Sequence, residues 1–88
     1  VRILALDVGD KRIGVAVSDL LGILASPLIA IERTSDSKAI DAILEIADEQ
    51  EAGEIVVGLP ISLSGGYSDQ TKSVAAFVRK LRPVLRFL

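Results

Sequence analysis

The hydrophobic rhythm of the chain runs at period two, lengthens to a helical period, and then repeats that change once more. From Val1 to Asp7 the residues alternate, with Val1, Ile3, Ala5 and Asp7 on one side and Arg2, Leu4, Leu6 and Val8 on the other. Both sets are mostly apolar, which predicts a strand covered on both faces and therefore central in its sheet. Gly9-Asp10 is turn chemistry, and Arg12 to Ser18 reads as a second strand rich in Ile and Val. Two strands joined this closely form an antiparallel hairpin. Gly22 marks the next turn, and Ile23 to Arg33 gives a third strand. Pro27 cannot donate to a ladder, so that strand belongs at an edge. The sheet therefore begins as a three-stranded meander in the order 3-2-1.

The period then lengthens. Thr34 to Ser37 offers N-cap candidates, and Ile40, Ile43, Leu44 and Ala47 recur with the spacing of one helix face. Asp41, Glu45, Asp48 and Glu49 fall on the opposite face, where acids are most simply a solvated surface, and Gly53 is placed to end the helix. Glu54 to Leu59 is a short apolar, β-branched run. A strand, a crossover helix and another strand imply parallel pairing, most simply beside the first strand. Pro60 to Ser68 is a loop by its Gly and Ser content, and Asp69 to Arg82 is a second amphipathic helix with Val74, Phe77, Val78 and Leu81 on its buried stripe. Pro83 stops it, and Val84 to Leu88 reads as the start of a further strand. The predicted class is α/β.

Composition narrows the chemistry. The 88 residues are half apolar, enough for one domain spanning 1–88 with a modest core. Cysteine, histidine, methionine and tryptophan are absent, which removes disulfides, Cys/His zinc sites and a Ser-His-Asp triad. Catalysis must rest on carboxylates, lysines, hydroxyls or a metal. A net charge of −2 is no electrostatic footprint for nucleic acid by itself, so a binder would need its cations clustered in space. The longest apolar run, Leu20 to Ile31, is broken by Pro27 and is too short for a bilayer. No basic segment precedes an apolar one at the amino end, so a cytoplasmic location without membrane contact is the expectation.

The candidate chemistry gathers at the first turn. Asp7 ends an apolar strand beside Gly9, where it either caps the turn or ligates a divalent cation shared with phosphate oxygens. Gly9 and Gly14 serve turn geometry or leave room for a phosphate backbone. Lys11 and Arg12 are either a solvated hairpin tip or anchors for neighbouring phosphates. If the fourth strand lies beside the first, Gly58-Leu59-Pro60 opens at the same rim as Asp7. The cations Arg79, Lys80, Arg82 and Arg86 are read as ordinary partners of a helix C-terminus.

Three segments together resemble the YqgF/RuvX family, the Holliday-junction-resolvase-like nucleases of the RNase H superfamily: ALDVGDKRIGVAVSD (Ala5 to Asp19), ASPL (Ala25 to Leu28) and EIVVGLPISLSG (Glu54 to Gly65). The resemblance covers nearly the whole chain. It implies an RNase H-like fold and a metal-dependent nuclease of structured RNA or branched DNA, acting on precursors of small-subunit ribosomal RNA and, by older analogy, on Holliday junctions. It implies Mg²⁺ or Mn²⁺ as cofactor, Asp7 as the first-strand catalytic and metal-binding carboxylate, and Gly9, Lys11 and Arg12 as the nucleic-acid-binding flank. Family members also carry, after the second helix, a strand ending in a D-E-R-type motif and a helix bearing another Asp. Neither stands in these 88 residues, and Ser62 and Ser64 occupy loop positions where an Asn and an acid are expected. The expectation is thus the N-terminal portion of the family domain, incomplete at its C-terminus, inactive alone, and able to self-associate if a sheet edge is exposed. Two alternatives are a non-catalytic nucleic-acid-binding module and a nucleotide-binding domain of the actin and sugar-kinase type, which opens on a similar strand-Asp-x-Gly hairpin.

Overall fold

The elements follow one another as β1 (Arg2–Val8), β2 (Arg12–Ser18), β3 (Ala25–Glu32), α1 (Asp36–Glu49), β4 (Ala52–Val57) and α2 (Asp69–Leu81), with a 3-10 turn over Arg82–Val84. They come from a computed structural model that describes residues 2–19, 25–59 and 68–84. The strands form one mixed sheet in the order β3-β2-β1-β4. β1 runs antiparallel to β2 and parallel to β4, as expected for an RNase H-like α/β chain. β1 is central and Pro27 lies on an edge strand, both as its chemistry requires. Leu28 is the extra residue where the β2–β3 register shifts: Val15 pairs with Ile29 but Ala16 pairs with Pro27.

One expectation for β1, cover on both faces, is met on one face by the described residues. Leu4, Leu6 and Val8 are buried in a single core with Ile13 and Val15 of β2, Ile43 and Ala47 of α1, and Val74, Phe77 and Leu81 of α2. The other face of the strand, which carries Ala5 and Asp7, has no helix against it among the described residues. Asp7 is exposed there, and so is Val56, which pairs beside Ala5. Strand patterning revealed two apolar sides, and the described residues cover one of them. The outer edge of β4 likewise has no strand beside it among the described residues.

Both helices start on serine. The Ser35 hydroxyl accepts from the Lys38 N–H, and Ser68 forms a capping box with Thr71. α1 stops earlier than the glycine signal predicts. It ends at Glu49, Glu51 takes the left-handed conformation with φ 53°, and Gly53 lies inside β4. A glutamate thus fills the position that glycine usually takes, and β4 begins at Ala52 instead of Glu54. The exposed face of α1 carries Asp41, Glu45, Asp48 and Glu49 as read from the sequence. Val84 closes the 3-10 turn and does not begin a strand. The turn at Gly22, the loop from Pro60 through Tyr67, and residues 85–88, with Arg86, lie outside the described residues.

Candidate functional site

Because side chains alternate along β1, placing Leu4, Leu6 and Val8 in the core sends Asp7 to the open face at the strand's carboxyl end. Its antiparallel partner is Gly14 of β2. On the other flank Leu6 pairs with Val57, and the next residue, Gly58, donates its N–H to the Leu6 carbonyl at 3.1 Å. Asp7 therefore stands between two glycines, with Ala30 beyond Gly14 across the next register. Ala5, Asp7, Gly14, Ala16, Pro27 and Val56 line a shallow concavity over this face. The sequence expectation that Gly58 opens at the Asp7 rim agrees with this register. Leu59 follows it, exposed, and Pro60 is outside the described residues.

The turn beyond Asp7 is held by backbone. The Gly9 N–H donates to the Arg12 carbonyl at 2.8 Å, and a Cβ on Gly9 would sit 2.8 Å from that same oxygen. Glycine is required here by close approach of the chain. Asp10, Lys11 and Arg12 are exposed. Arg12 lies on the Asp7 face, opposite Glu32 of β3 in the register.

Sequence reading missed the residue that fixes this turn to the rest of the molecule. Arg33, read from the sequence only as the last residue of the third strand, stands one position past β3, and its side chain is only 11% exposed. Its backbone N–H donates to the Lys11 carbonyl at 2.8 Å and its Nη1 to the Gly9 carbonyl at 2.9 Å. Its Nε pairs with Asp36 Oδ1 at 2.9 Å, Nη1 also reaches Ser73 Oγ at 3.4 Å, and the guanidinium lies 5.1 Å from the centre of the Phe77 ring. One planar cation thus ties the β1–β2 turn to both helices. Asp36 is shared, because Lys80 Nζ pairs with its Oδ2 at 2.9 Å. The hydrogen bond from Arg33, then that from Lys80, hold the Asp36 carboxyl below its ordinary value of 3.8. Lys80 therefore spends its charge on α1, while Arg79 and Arg82 remain exposed beside β4.

For a divalent cation the donors are few. No three of Asp, Glu, His or Cys come together among the described residues. Magnesium is usually held by one or two carboxylates with water and phosphate oxygens. Asp7 offers one such ligand, and the described residues do not by themselves fit a complete magnesium centre.

Comparison with known proteins places the same stretches in context. Residues 1–87 match the family described as RuvX, Holliday junction resolvase. A protein of Thermoanaerobacter pseudethanolicus is 47% identical over 81 residues, covering 92% of this chain and 58% of that protein. One of Desulforudis audaxviator is 46% identical over 92% of this chain and 57% of its own length. One of Roseiflexus is 43% identical over 84 residues, 96% of this chain and 60% of its own length. All three are named as candidate pre-16S rRNA nucleases. The chain spans somewhat under two thirds of the length of these relatives.

Proposed function

Since this chain belongs to the RuvX family, we propose that it is the part of a cytoplasmic nuclease that presents a phosphodiester to the Asp7 carboxylate, with precursor 16S ribosomal RNA as the substrate class. The observation that carries the reading is Asp7 itself. It is an exposed carboxylate at the carboxyl end of the central strand, flanked by glycines, and it follows the edge where open α/β sheets receive ligands. A carboxylate in that position binds a divalent cation or accepts a proton from attacking water, and Mg²⁺ or Mn²⁺ would supply charge neutralisation at the scissile phosphate. Asp7 would furnish one ligand of such an ion, with the remaining charge compensation from groups beyond those described. The Gly9 turn, Lys11 and Arg12 would take up neighbouring phosphates, which position a strand without reading its sequence.

The test compares the whole gene product carrying this sequence with its Asp7→Asn form on a labelled structured RNA in Mg²⁺ or Mn²⁺. Cleavage should fall at least about a hundredfold, the scale on which one charge-stabilising group acts. Equal cleavage by the two proteins would remove Asp7 from the chemistry. The exposed Val56 and the β4 edge, which has no neighbouring strand among the described residues, also support self-association of the 88-residue chain, which would appear as a concentration-dependent mass in ultracentrifugation.

A further inference from the structure

Gly14 and Gly58 stand on either side of Asp7, and among the described residues nothing requires either of them to be glycine. Neither has a φ in the left-handed region. A Cβ on Gly14 would meet the Asp7 Cβ at 3.7 Å, and one on Gly58 would meet the Leu6 carbonyl oxygen at 3.9 Å. Both are ordinary van der Waals distances. The third glycine of the site behaves differently, since a Cβ on Gly9 would come within 2.8 Å of the Arg12 oxygen. Glycine also weakens a strand, because it loses the most backbone freedom on ordering and packs no side chain. Gly14 weakens its strand, Gly58 follows β4 directly, and neither relieves a clash among the described residues, so the space that they leave above the sheet is what explains them.

We propose that Gly14 and Gly58 form the clearance through which a sugar-phosphate strand reaches the Asp7 carboxylate, so that they determine what can approach it. The inference rests on the nuclease reading and deepens it. A missing side chain on both flanks lets a backbone lie across the row Gly58–Asp7–Gly14, whereas a branched residue at either flank would hold it away from the carboxylate. The exposed charges Asp7, Asp10, Lys11, Arg12 and Glu32 at this end of the face disfavour an apolar protein segment, and the two cations among them suit the phosphates of a nucleic-acid strand. Arg12 is exposed on the Asp7 side and Lys11 on the adjoining turn, while Ala5, Ala16 and Val56 lie toward the other end.

The experiment uses the whole gene product with Gly14→Ala, Gly14→Val, Gly58→Ala and Gly58→Val. Affinity is measured for an RNA hairpin with single-stranded arms and for a four-way DNA junction, in metal-free buffer so that binding is read apart from cleavage. The alanine forms should melt at the same temperature as wild type or higher, yet bind at least about tenfold more weakly, the scale of one misfitted carbon. The valine forms should bind more weakly still. Weakening on either probe supports the clearance, and the responding probe identifies the strand. Unchanged affinity in all four variants overturns it. So does a lower melting temperature in the alanine forms, which would mean that the glycines serve the fold or receive another protein segment. Asp7→Asn separates the two readings. If it cleaves like wild type while the glycine variants bind weakly, the nuclease assignment of Asp7 fails and the clearance stands. If it is inactive while the glycine variants bind normally, the reverse holds.

Discussion

The two faces of the sheet are made by the same strands and have opposite characters. On the helical face Leu4, Ile13, Ile43 and Phe77 are fully buried and meet side chains from every layer of the fold. On the open face Val56 is 47% exposed, Ala5 and Ala16 present a low apolar floor, and Asp7 stands between glycines. One residue step along β1 moves from one character to the other, since Leu6, Asp7 and Val8 are consecutive. The comparison teaches that stability and chemistry are divided across the sheet's thickness rather than along the chain. Changes on the helical side should cost stability, and changes around Asp7 should cost function at little structural expense.

The largest stability effect expected is that of Phe77→Ala, about 3–5 kcal/mol in urea titrations, because the ring is wholly buried and its loss opens a cavity. A change under 1 kcal/mol would show that the helical side is not the stabilising one. Asp7→Asn should shift the same titration by no more than about 0.5 kcal/mol, as expected for an exposed position. Arg33 sits between the two faces and sharpens the division. Arg33→Met should cost about 1.5–3 kcal/mol, the range for hydrogen bonds to a charged group. Amide exchange should separate its two roles, with Gly9 and the turn losing protection well before Leu4 and Val15. Uniform loss across the sheet would make Arg33 a core residue and nothing more.

A small, pH-dependent effect concerns Asp36. Its carboxyl is held below the ordinary value by Arg33 and Lys80, so it is more readily ionised folded than unfolded. The stability it contributes is complete above the unfolded value of 3.8 and is lost as pH falls through the lower folded value. With Lys80 59% exposed, the pair is worth at most about 1 kcal/mol. Thermal scans in acid should therefore show a slightly shallower pH dependence for Asp36→Asn than for wild type. Parallel curves would mean that Asp36 carries no linked proton.

Much of the architecture was legible because it is written in local periodicity. Arg12 to Ser18 is the second strand to the residue, and Val74, Phe77 and Leu81 are the buried stripe of α2. Pro27 located an edge because it lacks a donor. The end of α1 was misplaced because the glycine signal is statistical, and here Glu51 adopts the left-handed conformation instead. Asp7, Gly9, Lys11 and Arg12 could be gathered as one turn from the sequence, and Gly58 could be brought to their rim only by way of the strand–helix–strand rule. Gly58 reaches Asp7 only through parallel pairing of strands about fifty residues apart, which periodicity does not specify. Arg33 was invisible for the same reason. Its partners Gly9 and Ser73 lie 24 positions before it and 40 after it, and nothing in its neighbours announces either.

Those separations have a consequence in time. When the chain is first synthesised, the hairpin of β1 and β2 can pair as soon as both strands exist, and Arg33 can already reach the Gly9 carbonyl. Ser73 and Phe77 have not yet been made. The guanidinium gains its contacts to Ser73 and Phe77 only when the last helix arrives. The backbone of the turn can form with the hairpin, and the second helix, by docking, completes the set of partners around Arg33.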